Sequence, residues 1–134
     1  MNILNGTISQ IQSHEGISLV RVQSNDVTFS TIVLDTPETS DYLKLQNPVK
    51  IIFKETEVVI SKDLNPNIST QNKLLCRIES IHKGVILSQI NLVHEQQIIK
   101  SIITRNACEE LNLKENDTVL ALIKTNEVSL SAHD

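Results

Sequence analysis

Residues 30–60, STIVLDTPETSDYLKLQNPVKIIFKETEVVI, lie without a gap over residues 100–130, KSIITRNACEELNLKENDTVLALIKTNEVSL, at an offset of about 70 positions. Thr31-Ile32-Val33-Leu34 falls on Ser101-Ile102-Ile103-Thr104, and Leu43-Lys44 on Leu113-Lys114. Lys54-Glu55-Thr56-Glu57-Val58 falls on Lys124-Thr125-Asn126-Glu127-Val128. Working outward, Ile8 matches Ile78, Ile11 matches Ile81, and Gly16 matches Gly84 after a small shift. The chain is one module written twice: residues 1–63, a linker at 64–71, and residues 72–134. Duplication generates interfaces, which favours a function placed between copies over one inside a single copy.

Each copy has roughly 60 residues, a size at which a lone core is marginal. The copies are therefore expected to lean on each other or on other chains. Hydrophobic residues make up 40% of the sequence, as in a globular protein. Aromatics are only 2% and Trp is absent, so the core must be aliphatic. A net charge of −4 argues against nucleic acid as a general partner, because phosphate contacts need a basic surface. No apolar run approaches a membrane-spanning length, and Met1-Asn2-Ile3-Leu4-Asn5-Gly6 does not open like a secretory signal. Cys76 and Cys108 are isolated thiols, suited to a reducing cytoplasm and to small buried positions. His14, His82, His94 and His133 have no metal-ligand spacing and read as surface residues.

Along copy one, strands are expected at about 3–11, 17–23 and 27–34, with turns at 13–16 and 25–26. Asp35 or Thr36 can cap a short helix, with Pro37 in its first turn and its end near Leu45. Two further strands, 49–53 and 58–61, flank a tight turn at 54–57. Copy two repeats this order, with strands at about 73–82, 85–93, 96–103, 118–124 and 128–131. There Thr104 caps a helix over 105–111. The runs 49–53 and 119–123 barely alternate, which suggests cover on both faces by the other copy or another subunit, the alternative being a strand at the tight corner of a small closed barrel. Five strands with a short helix between the third and fourth is the element order of an OB-like barrel. The expected fold class is thus all-β, two tandem five-stranded modules. Many such barrels bind oligonucleotides through basic grooves and aromatic platforms. Phe29, Tyr42 and Phe53 are the only aromatics of this acidic chain, so that use is disfavoured.

No enzyme signature is present: there is no GxSxG, Walker A, GxGxxG or HExxH. The best candidate site joins the end of the third strand and helix start of copy two (Ser101, Thr104, Arg105) to the end of its fourth strand (Lys124, Thr125). Unpaired backbone N–H groups, hydroxyl donors and a lysine together suit a small tetrahedral oxyanion. The competing reading is that Thr104 merely caps its helix and Lys124 is a solvated turn residue. The recurrence of lysine as Lys54 and Lys124 tilts toward function.

At this point the residues resemble a known family. The pattern SIIT…LxLKxxDxVxALIK over 101–130 is similar to the molybdenum-pterin-binding (Mop) module of molbindins, also called a TOBE domain. The resemblance is closest there, fair over 69–93, and weaker but continuous over 2–61. Two such modules look like a tandem member of the family. The resemblance implies OB-like barrels in a cytoplasmic homotrimer that binds molybdate, or tungstate, between modules through hydroxyls, backbone N–H groups and lysine. The family's strand-end threonine falls on Thr104 and its "ALIK" lysine on Lys124. Its "SARN" segment falls on Ser69-Thr70-Gln71-Asn72. This chain departs from the pattern at Gln71, where the arginine is missing, and at Ala107, where a serine is common. In copy one, Leu34 stands for the threonine, and only Thr31 and Lys54 remain as candidate ligands. The implied function is oxyanion storage or homeostasis. The alternative is an assembly or regulatory module without ligand, like the accessory barrels of transport ATPases.

Overall fold

The computed structural model describes residues 1–132; His133 and Asp134, the former read above as a surface residue, lie outside the described residues. The strands are β1 (Asn2–His14), β2 (Ile17–Ser24), β3 (Val27–Val33), β4 (Pro48–Phe53) and β5 (Val59–Ser61). Then follow β6 (Asn72–Lys83), β7 (Leu87–His94), β8 (Gln97–Thr104), helix α1 (Arg105–Glu110), β9 (Thr118–Ile123) and β10 (Ser129–Ala132). Single 3-10 turns, Glu55–Glu57 and Thr125–Glu127, precede β5 and β10. No helix among the described residues is long and apolar enough to cross a membrane.

The strands form two antiparallel five-stranded sheets, in the orders β10-β4-β1-β2-β3 and β5-β9-β6-β7-β8. In each sheet the edge strands approach one another, β10 with β3 and β5 with β8, so the sheet curls toward a barrel. The last strand of each repeat pairs in the other repeat's sheet. β5 pairs with β9 (Val59 opposite Leu122), and β10 pairs with β4 in the matched register (Ser129 opposite Ile52). The compact units follow the sheets. Unit 1 is Met1–Phe53 with Lys124–Asp134, and unit 2 is Lys54–Ile123. The boundaries 1–63 and 72–134 describe the duplication; the folded units cut the chain at the two lysines instead.

The duplication extends to fine detail. β1 and β6 each carry a bulge, between Ile8 and Gln10 and between Ile78 and Ser80. Beside each bulge the chain returns to the same residue. Ile8 N–H donates to Asn47 O (3.0 Å), and Ile8 O accepts from Gln46 N–H (2.8 Å). Ile78 N–H donates to Asp117 O (2.9 Å), and Ile78 O accepts from Asn116 N–H (2.8 Å). Gln46 and Asn116 both adopt positive φ, 69° and 72°, to make this turn. Gly6 has no side chain because a Cβ would sit 2.5 Å from Val22 Cγ1.

The cores are aliphatic, as the composition requires. In unit 1, Phe29 and Phe53 stack at a centroid distance of 6.0 Å among Ile8, Val20, Val22 and Ile51. Unit 2 puts Ile99 and Ile123 at the matched positions and is filled by Leu74, Ile78, Ile90 and Leu92. Each such buried side chain contributes about 1.5–3 kcal/mol. Val119–Ile123 is buried throughout, as its continuous apolar run implied, whereas in β4 Lys50 and Ile52 are only half-buried. Cys76 and Cys108 are both buried, and burial pushes the Cys76 thiol up to about 12. His94 is not a surface residue: it is buried, with Nδ1 2.7 Å from Leu75 O.

The two copies part company after their third strands. In copy two, α1 forms with Thr104 as its cap: Ala107 N–H donates to Thr104 Oγ1 at 3.0 Å. Arg105–Glu109 and Asn106–Glu110 contacts support it at i,i+4. In copy one, the helix expected over 36–45 is a series of turns. Thr39 Oγ1 takes the Thr36 N–H (2.8 Å) and reaches the Asp35 carboxylate (3.2 Å). Short polar side chains that bond their own backbone compete with helix, and this segment is rich in them.

Candidate functional site

Lys54 and Lys124 are the hinges of the strand exchange. Each sits in extended backbone directly ahead of a 3-10 turn, and each carbonyl accepts from the third residue on, Glu57 N–H or Glu127 N–H, at 3.0 Å. Both side chains are exposed. Neither makes an ion pair or side-chain hydrogen bond among the described residues. A cation repeated at matched positions, without an ion pair among the described residues, is available to an anion.

The exchange redistributes the other candidates. Unit 2 contains Lys54, Ser69, Gln71, Ser101, Thr104 and Arg105; unit 1 contains Thr31, Lys124 and Thr125. The sequence reading coupled Lys124 to Thr104; by chain partition, the lysine that shares a compact unit with Thr104 is Lys54.

Thr31 and Ser101 have a structural task. Both are fully buried. Thr31 Oγ1 donates to Val128 O at 2.5 Å, and Ser101 Oγ donates to Val58 O at 2.8 Å. Each hydroxyl therefore pins the segment arriving from the other repeat. A hydroxyl has one proton to donate, so neither is a donor to a ligand. This corrects their reading as ligand residues. The signal was present in the sequence, since Thr31/Ser101 and Val58/Val128 are matched pairs, but the exchange that joins them was not.

Thr104, Arg105, Ser69 and Gln71 are exposed, and Thr125 is half-buried. Thr104 accepts from Ala107 N–H and keeps its own proton for donation. Arg105 lines a groove of about 440 Å³ with Val85, Ile86, Thr104, Asn106 and Glu109. Its Nε lies 2.8 Å from the Glu109 carboxylate and its Nη1 donates to Gly84 O at 3.4 Å. The Arg105 hydrogen bond, then its charge and that of Lys83, hold the Glu109 carboxyl below its usual range. Part of the Arg105 charge is thus already balanced.

A family model described as the TOBE domain matches residues 68–130. The second half of this chain is thus similar to a TOBE domain. The match runs from the polar segment before β6 through Leu130, and so takes in Ser69, Gln71, Thr104 and Lys124. Over 124 residues the chain is 30% identical to the molybdenum import ATP-binding protein ModC of Rhizobium etli. That alignment covers 92% of this chain, which spans 32% of the length of that relative. Over 98% of its length the chain has the fold of the cytoplasmic molybdate-binding protein ModG, in a crystal form with molybdate bound. The TM-score is 0.91 at 23% identity, with 96% of that chain covered. This likeness establishes the architecture as two tandem OB-like modules. A molybdate-binding protein from Sporomusa ovata matches 44% of this chain and 88% of its own at 30% identity, with a TM-score of 0.43.

Proposed function

We propose that this protein is a cytoplasmic binding protein for molybdate, or the isosteric tungstate, and not an enzyme. It holds the anion reversibly for storage or homeostasis and works as a homotrimer with ligand at module or subunit seams. The observation that carries this reading is the repeated, exposed lysine, Lys54 and Lys124, ahead of each exchanged strand and without a side-chain partner among the described residues. Thr104, Thr125, Ser69 and Gln71 add neutral donors, and Arg105 adds a second cation. The hydroxyls of Thr31 and Ser101 act at one remove, by fixing the turns that follow the lysines. The ModC relative and the ModG fold support molybdate over other oxyanions. A dianion held by several fixed donors is sensitive to its radius, so the smaller sulfate leaves some of them without contact.

Gln71 in place of a family arginine, and the two buried hydroxyls, favour a second reading: an assembly or regulatory module without ligand. Isothermal titration with molybdate, tungstate and sulfate separates the two. We expect saturable heat with molybdate and tungstate and at least tenfold weaker binding of sulfate. No heat with any of the three assigns the chain to the second reading.

A further inference from the structure

We draw no further inference here: the strongest candidate, the apolar groove of about 570 Å³ in unit 1 lined by Ile11, Pro37, Leu43 and Leu45 beside the turns that follow β3, is an unpartnered face, and nothing in the structure shows what covers it.

Discussion

Replacing Lys54 and Lys124 together by alanine is expected to lower molybdate affinity at least a hundredfold and to leave thermal stability almost unchanged. Both side chains are exposed, and neither holds another protein group among the described residues, so their removal strands nothing. A charge-assisted hydrogen bond contributes about 1.5–3 kcal/mol, and about 1.4 kcal/mol is a factor of ten in affinity. Each single substitution should therefore cost roughly tenfold or somewhat more. Isothermal titration and a melting curve on the same samples check this. Unchanged affinity in the double variant removes the lysines from the site. A collapse in melting temperature reassigns them to structure.

The opposite pattern is expected for Thr31→Ala with Ser101→Ala. Each substitution takes the donor from a buried carbonyl, Val128 O or Val58 O, and costs about 1–3 kcal/mol. The two sites lie in different units, so their effects should add to about 2–6 kcal/mol. For a chain of this size, each kcal/mol lowers the melting temperature by roughly 3–5 °C. A loss on the order of 10 °C or more is therefore expected. Molybdate affinity, measured well below the melting point, should stay within a few-fold. If these hydroxyls were ligands, affinity would fall and stability would not. Neither repeat completes a sheet with its own last strand, so unfolding should proceed as one transition in the unaltered protein and in the variant.

The partner of each exchanged strand is the part of this fold that sequence could not reveal. The offset of about 70 positions exposed the duplication, the strand pattern and the Thr104 cap. The same offset made the exchange invisible. Val59 opposite Leu122 and Ser129 opposite Ile52 are equivalent registers, so β5 and β10 fit either sheet equally well by local pattern. Connectivity around Lys54 and Lys124 decides between them, and that is a property of the three-dimensional path. The exchange in turn explains why Thr31 and Ser101 looked like free donors. Their acceptors lie 97 and 43 residues away along the chain. The helix expected in copy one failed for a local reason: Asp35, Thr36 and Thr39 bond one another's backbone and side chains. His94 was misjudged because a lone polar residue in an alternating strand gives no sign that a carbonyl waits for it. The candidate ligands were legible as residue types, and Lys54 and Lys124 are exposed. Which of the others face an anion depended on burial and on protons already donated.

Native mass spectrometry of the full-length protein, with and without excess molybdate, tests oxyanion binding and assembly in one spectrum. The expected result is a trimer whose mass rises by whole molybdate increments, and rises less in the Lys54/Lys124 alanine variant. Identical masses with and without molybdate would contradict the proposed function.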